Sequence, residues 1–361
     1  MTRKDFLQTV SGAAAAVFAQ TNLAGAPAVK SNVKRGVTLY SYQEEFYTHA
    51  MSLEDCIAEV ASMGAEGIEL IGEEMVPNYP NPPEPWVQQW HAMLEKHHTK
   101  PACLDTFVDL TWGGRRQMSP QEAVDTLVVH LKLAKRLGFK TVRPSLGGRT
   151  TNPIEMIKAA IPHAEELDVK IAVEIHAPAP LDSQQIAGYL DLIATTKTKH
   201  FGFTPDMGIF CKRVPRVMLQ NFVRRGAQEK CTAYIDSAYQ QGVPSDQIQA
   251  EVAKMGGNDV DRACATYASG YGPPNNDPKK LQKLMPYIYN VHGKFYEMTD
   301  DLHEFSIPYE DIMPVLTAIG YDGYINSEYE GQRWTQDAKE TDSCEEIRRQ
   351  HALMKRLLNE V

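Results

Sequence analysis

Short apolar runs recur along the chain from about residue 36 onward, and longer amphipathic stretches separate them. Each run has the length of a β-strand rather than that of a helix. We therefore predict eight strands, at Gly36–Ser41, Gly67–Ile71, Pro101–Phe107, Thr141–Pro144, Lys170–Ile175, His200–Thr204, Ile288–His292 and Gly323–Ser327.

The intervening stretches carry apolar residues at the spacing of an α-helix. Leu127, Leu131 and Ala134, for example, are three or four residues apart and fall on one helical face. Ser119 before this segment and Gly138 after it are typical start and stop signals. The pattern predicts helices at Leu53–Met63, Trp86–His97, Pro120–Leu137, Ile154–Leu167, Ser183–Thr198, Tyr309–Ile319 and Cys344–Leu358.

Repeated alternation of strand and helix predicts a parallel sheet covered by helices. Eight such strands favour closure into a (β/α)₈ TIM barrel, which we place at residues 33–361, within the α/β class. No GxGxxG motif follows the first strand, which argues against a dinucleotide-binding sheet. Residues from about 211 to 285 exceed what one strand–helix unit needs, so we predict a helical insertion between strands six and seven.

Composition narrows the function classes. The net charge of −9 and the absence of long basic runs argue against a nucleic-acid partner, because phosphate contacts need clustered Lys and Arg. The six cysteines are scattered without paired spacing, which argues against a zinc ribbon or a disulfide framework.

The first 26 residues have the order of an export signal. Arg3 and Lys4 precede a short apolar stretch, Val10–Ala19, which is rich in small residues and too short to span a membrane. The start resembles a twin-arginine signal with Lys in place of the second Arg. We predict export to the periplasm without stable membrane insertion; the alternative is a cytoplasmic protein with a leader.

Four predicted strands end in, or are closely followed by, a residue that binds metals. Because the carboxyl ends of barrel strands form the catalytic face, these side chains are expected to converge. Three carboxylates and one imidazole suit Mn²⁺, or alternatively Mg²⁺ or another divalent cation, better than a metal that prefers thiolates. The predicted ligands are Glu174, Asp206, His292 and Glu328.

Other polar and aromatic residues lie close to these strand ends. His176 is two residues beyond Glu174 on the same face and is either a catalytic base or a structural histidine. Glu69 is predicted to be an interior ion-pair partner. Four further residues are either substrate contacts or ordinary core, rim and surface residues: Lys294, Arg143, Tyr40 and Trp112.

Several motifs resemble the xylose-isomerase-like barrel superfamily, which includes sugar isomerases and ketose 3-epimerases. They are Gly67-Ile-Glu-Leu70, Val173-Glu-Ile-His176, Pro205-Asp-Met-Gly208, Val291-His-Gly-Lys294 and Ser327-Glu328. The resemblance implies a Glu–Asp–His–Glu metal set, and all four positions are filled here. Within the group, the segments from Asp206, His292 and Ser327, with the insertion, are most similar to the α subunit of C-glycoside deglycosidases. That likeness implies a 3-oxo-glycoside substrate and a small β subunit.

Together these features predict a metal-dependent enzyme that abstracts a proton α to the carbonyl of a keto sugar. His176, Glu174 or Glu328 would supply the base. C–C or C–O cleavage by elimination is the favoured outcome. A sugar isomerase or 3-epimerase is the alternative, and a non-catalytic exported sugar-binding protein is the second. The ligand would be a small sugar or glycoside, and a homo-oligomer is the alternative to a β-subunit complex.

Overall fold

Eight parallel strands form the centre of the molecule. The computed structural model describes residues 31–108, 118–146, 153–338 and 341–360. The strands are β1 (Lys34–Thr38), β2 (Gly67–Ile71), β3 (Lys100–Val108), β4 (Thr141–Leu146), β5 (Lys170–Ile175), β6 (Phe201–Pro205), β7 (Val291–Phe295) and β8 (Tyr324–Tyr329).

The sheet curves round so that its two outer strands meet. Its order is β6-β5-β4-β3-β2-β1-β8-β7, and single parallel bridges at Phe203–Ile288 and Asp206–His292 join β6 to the chain around β7. The close approach requires a glycine, because a Cβ at position 202 would lie 2.1 Å from the carbonyl oxygen of Tyr287. The structure thus confirms the predicted TIM barrel.

Helices cover the outside of this barrel and connect successive strands. Of those in the described ranges, none combines the length and apolar character needed to cross a membrane. They are α1 (Gln43–Tyr47), α2 (Leu53–Ser62), α3 (Gly72–Met75), α4 (Glu84–Lys96), α5 (Pro120–Leu137), α6 (Pro153–Leu167), α7 (Gln184–Thr196), α8 (Arg216–Arg224), α9 (Glu229–Gln240), α10 (Ser245–Lys254), α11 (Asp259–Ala268), α12 (Tyr309–Ala318), α13 (Gln332–Thr335) and α14 (Ser343–Leu358).

Local signals set the bounds of α5. The Ser119 hydroxyl accepts from the backbone N–H of Glu122, and the Glu122 carboxylate accepts from the backbone N–H of Ser119, which forms a capping box. Gly138 ends the helix in the left-handed conformation at φ 85°. Leu127 and Leu131 are fully buried, as the predicted apolar face requires.

Two of the predicted strands, the first and the seventh, were displaced at both ends. The seventh begins at Val291 rather than Ile288, because the preceding apolar residues form a 3₁₀ turn at Met285–Tyr287. It continues through Lys294, whose charge hides the strand from a hydrophobicity pattern although its side chain is buried. The first strand ends at Thr38, where a 3₁₀ turn takes over.

The predicted insertion is present as α8–α11 and the 3₁₀ turns that follow them, between β6 and β7. It packs on the loops at the carboxyl ends of the strands. Gly272 lies against the loop after β5, since a Cβ at this position would be 3.2 Å from Pro178 Cα. Arg224 forms an ion pair with Asp337, in the segment after β8, at 2.6 Å. The insertion therefore borders the catalytic face of the barrel.

Candidate metal centre

Four strand ends bring three carboxylates and one imidazole together. One ligand atom from each of Glu174, Asp206, His292 and Glu328 lies within 4.8 Å of the others. Asp206, His292 and Glu328 are buried, and Glu174 is partly exposed. The parallel barrel explains this convergence, because the carboxyl ends of all its strands form one rim.

The donor atoms of this cluster fit a divalent cation. Glu328 Oε2 is buried and accepts no hydrogen bond, although His292 Nδ1 is 3.3 Å away. Asp206 Oδ2 also lacks hydrogen-bond geometry, although Lys294 Nζ lies at 2.8 Å. Buried carboxylate oxygens without such partners are costly. A cation between these atoms would compensate that cost, and hard oxygen ligands suit Mn²⁺ or Mg²⁺.

The cluster's surroundings keep two of its carboxylates ionised. Burial alone would raise the pKa of Glu328, but the charges of Lys294 and His292 outweigh it and lower that pKa to about 2. Burial also opposes ionisation of Glu174, but Arg143 and His292 hold its pKa well below the usual range. Both side chains are therefore anionic at neutral pH, as cation binding requires.

Glycine at position 208 shapes the loop that carries Asp206. Its backbone N–H donates to Asp206 Oδ1 at 2.6 Å, so one carboxylate oxygen is held in place. A Cβ at this position would lie 3.0 Å from both Asp206 Oδ1 and Lys294 Cδ. The glycine thus allows the carboxylate and the lysine to approach each other, and the Asp-Met-Gly motif has a steric basis.

Lys294 and His176 meet beside the cluster. Lys294 is 1% exposed, and its Nζ is 3.1 Å from His176 Nε2. Burial would lower the pKa of Lys294, but Asp206 and Glu328 outweigh it and raise that pKa well above the usual value. The side chain of His176 is 50% exposed, and its Nδ1 lies 2.5 Å from the carbonyl oxygen of Ala177. The buried ammonium group of Lys294 therefore lies next to the imidazole of His176, which is open to solvent.

Arg143 reaches the cluster from β4 and pairs with a carboxylate that the sequence interpretation missed. Its Nη2 donates to Asp105 Oδ2 at 2.5 Å, and its Nη1 is 3.5 Å from Glu174 Oε2. Asp105 is 2% exposed. The sequence signal that would have identified it is an acidic residue inside an otherwise apolar strand. In the sheet, Asp105 on β3 is paired with Arg143 on β4. Arg143 thus contacts both Asp105 and the candidate ligand Glu174.

The outer wall combines Tyr40 with two residues that were not predicted as site residues. The Tyr40 hydroxyl donates to Glu330 Oε1 at 3.0 Å, and the Arg333 guanidinium lies 4.9 Å from the centre of the Tyr40 ring. Glu330 Oε2 is in turn 3.6 Å from Lys294 Nζ. Trp112, the remaining predicted substrate contact, lies outside the described residues.

These side chains line one cavity of about 500 Å³ at the carboxyl end of the barrel. The volume lies in the range of small-molecule sites. Its lining includes Tyr40, Arg143, Glu174, His176, Lys294 and Glu328. Asp206 and His292 are fully buried and do not line the cavity, so the structure places two of the four predicted ligands in its wall and two behind it.

Comparison with known proteins agrees with this architecture. A family model described as a xylose isomerase-like TIM barrel matches residues 57–211. The 3'-dehydrocarminate deglycosidase alpha subunit of a Microbacterium species is 28% identical over 343 residues, 90% of this chain and 95% of that protein. The C-glycoside deglycosidase alpha subunit of Arthrobacter globiformis is 27% identical over 339 residues, 91% and 94% of the two chains.

Among solved structures, the IOLI protein with a zinc atom aligns with a TM-score of 0.54 and 12% identity, covering 91% of this chain and 99% of that one. At this identity the match shows a shared fold alone. The family model and the relatives together confirm the resemblance predicted from the motifs: the chain is similar to xylose isomerase-like TIM barrels over residues 57–211 and, over most of its length, to C-glycoside deglycosidase alpha subunits.

Proposed function

We propose that this chain is a divalent-metal-dependent enzyme that removes a proton α to the carbonyl of a keto sugar. The observation that carries the proposal is a four-ligand cluster whose Glu174 and Glu328 line one pocket together with His176 and Lys294. A 3-oxo-glycoside is the proposed substrate, and cleavage of its C–C or C–O bond to the aglycone is the proposed outcome. The deglycosidase relatives support a sugar-modifying enzyme.

In this proposal, Glu174, Asp206, His292 and Glu328 hold the cation, and manganese is our first choice. When bound, the cation would act as a Lewis acid that makes the carbon next to the sugar carbonyl more acidic. Arg143 keeps the Glu174 carboxylate in place from one side at 3.5 Å, and Gly208 keeps Asp206 in place from the other at 2.6 Å. The pocket side of the cluster is left to the substrate.

His176 is the proposed base. Its Nδ1 lies within hydrogen-bond distance of the carbonyl oxygen of Ala177, so we assign the ring proton to Nδ1. Nε2 then carries the lone pair, which accepts from Lys294 Nζ at 3.1 Å. When that ammonium donates to a substrate oxygen instead, Nε2 is free to take the proton from C2. The charge on Lys294 is held by Asp206 and Glu328, so its ammonium can donate to a substrate oxygen without losing its proton.

Elimination completes the proposed reaction. The electrons of the C2–H bond become the C1–C2 double bond while the bond from C1 to the aglycone breaks. The aglycone leaves with the electron pair of its bond to C1 and takes up one proton, so the products are an unsaturated keto sugar and a protonated aglycone. Reprotonation of the sugar carbon instead would give an epimer or an isomer, and these remain the alternative outcomes.

A product screen by NMR in D₂O tests the reaction. With Mn²⁺ and a 3-oxo-glycoside, we expect free aglycone, together with deuterium at C2 of recovered substrate or a primary isotope effect with C2-deuterated substrate. The same protein treated with a chelator is the control. Interconversion of free ketoses without aglycone release would favour the epimerase or isomerase. Sugar binding without any turnover would support the binding protein.

The relatives are named alpha subunits, and this supports a partner for the present chain. We propose a small β subunit, with a homo-oligomer as the alternative. Light scattering would give the mass of the assembly isolated from the native host, and electrophoresis under denaturing conditions would show its chains. A second, shorter chain is expected only for the β-subunit complex.

Export through a twin-arginine-type signal is a further proposal, and the signal at residues 1–26 lies outside the described residues. Its motivation is Arg3-Lys4 followed by a short apolar run. Mass spectrometry of the protein from the native periplasm should show a chain that begins after about residue 19 to 26. An intact Met1 on a cytoplasmic chain would contradict the proposal.

A further inference from the structure

A second carboxylate network lies beneath the candidate metal centre, inside the barrel. Glu69, on β2, and His292, on β7, are both 0% exposed, and Glu69 Oε1 is 2.8 Å from His292 Nε2. The other imidazole nitrogen, Nδ1, faces the cluster and lies 2.8 Å from Glu174 Oε1. The His292 ring therefore connects an interior carboxylate to the candidate ligands, one nitrogen to each.

The second oxygen of Glu69 is held by two amides. Asn290 Nδ2 donates to Glu69 Oε2 at 2.9 Å, and Asn326 Nδ2 donates to the same atom at 2.6 Å. Asn290 Oδ1 also accepts from Asn326 Nδ2 at 2.8 Å, so the two amides restrain each other. Gly36 makes room for this arrangement, because a Cβ there would lie 2.1 Å from Asn326 Oδ1.

Packing alone does not account for an acidic residue at this place. A carboxylate removed from water costs several kcal/mol unless charge pairing and hydrogen bonds compensate it, and apolar residues of similar volume often serve the core as well or better. Here each oxygen of Glu69 has a defined partner, and one partner is a candidate metal ligand. The network restricts both the rotation and the hydrogen-bonding pattern of the His292 ring.

We propose that Glu69 is a positioning residue for the metal centre. It accepts the Nε2–H of His292 and so leaves Nδ1 as the atom that faces the cation. Asn290 and Asn326 hold Glu69 in the orientation that this contact needs. The inference rests on the proposed function, since it assumes that a cation binds at the cluster. Carboxylate partners of metal-bound histidines act in this way in other metalloproteins.

The test compares the Kd for Mn²⁺ of the unchanged protein with that of the Glu69→Gln variant, with free Mn²⁺ measured by electron paramagnetic resonance. We expect the Kd to rise roughly 10–100-fold, the usual effect of losing such a partner. Glu66→Gln is the matched control. Glu66 directly precedes β2, the strand that carries Glu69, and its carboxylate forms an ion pair with Lys100 at 2.7 Å. Its Kd should equal that of the unchanged protein. The melting temperature of each metal-free protein separates folding from metal affinity.

Asn290→Ser provides a second variant that keeps the Glu69–His292 pair, in case Glu69→Gln does not fold. Loss of one hydrogen bond to Glu69 should raise the Kd about 2–10-fold. A lower melting temperature with an unchanged Kd in a folded variant would make Glu69 merely structural and overturn this inference alone. Failure of the unchanged protein to bind Mn²⁺ or Mg²⁺ would overturn the proposed function, and this inference with it.

Discussion

Glu174→Gln is expected to leave the purified protein without its cation and without measurable turnover. The substitution keeps the shape of the side chain but removes its charge, and neutral amides bind Mn²⁺ far more weakly than carboxylates. It also leaves Arg143 beside a neutral amide, which adds to the net repulsion of a cation. Metal content by mass spectrometry, with turnover on the same samples, measures the effect. The unchanged protein should carry about one ion per chain.

His292→Ala should empty the site in the same way, but at a cost in stability. The Glu69 carboxylate would lose the ion-pair partner that lies 2.8 Å away in the core, and breaking a buried pair costs about 3–5 kcal/mol. His200→Ala is the matched control, because His200 precedes β6 at the opposite end of the barrel and pairs with Asp168. Full metal content and activity in either ligand variant would make the ligand assignment wrong.

His176→Ala is expected to reduce kcat by about 10²–10⁴ while the cation stays bound, since loss of a positioned base has effects of this size. The side chain is half exposed, so its removal should hardly change the stability of the fold. Lys294 keeps its ion pairs with Asp206 and Glu328, so the cluster retains its charge balance. Deuterium exchange at C2 should fall in parallel with kcat.

An exposed histidine on α6 offers the control for this experiment. His163→Ala removes the same side chain from the barrel's outer surface and should leave kcat unchanged. Loss of both metal and activity in His176→Ala would assign His176 to the metal site rather than to proton transfer. Product formation with neither solvent exchange nor an isotope effect would favour a hydride shift between sugar carbons.

The bounds of strands and helices that are set by local sequence signals were predicted correctly. The bounds of β2, β5 and α5 agree with the structure at both ends. A capping box and a glycine stop define α5, and period-two alternation defines the strands. The grouping of Glu174, Asp206, His292 and Glu328 was also predictable, because the strands of a parallel barrel end at one rim.

The partners of those residues were decided by the tertiary structure. Glu69 and His292 are 223 positions apart in the chain, and Tyr40 and Glu330 are 290 apart. The sequence indicated a buried ion pair for Glu69 but not its partner. The barrel's register places particular side chains opposite each other, and no local pattern encodes that register.

The amino-acid sequence by itself determined the strands and helices, the barrel and the residues at its catalytic rim, because these follow from periodicity and from the direction of parallel strands. Only the tertiary structure decided where β7 ends, because the buried charge of Lys294 hides that part of the strand from any hydrophobicity pattern. It also decided which charged groups face each other across the barrel. Such pairings depend on contacts between strands far apart in the chain, and their free energy comes from burial and distance rather than from neighbours in sequence.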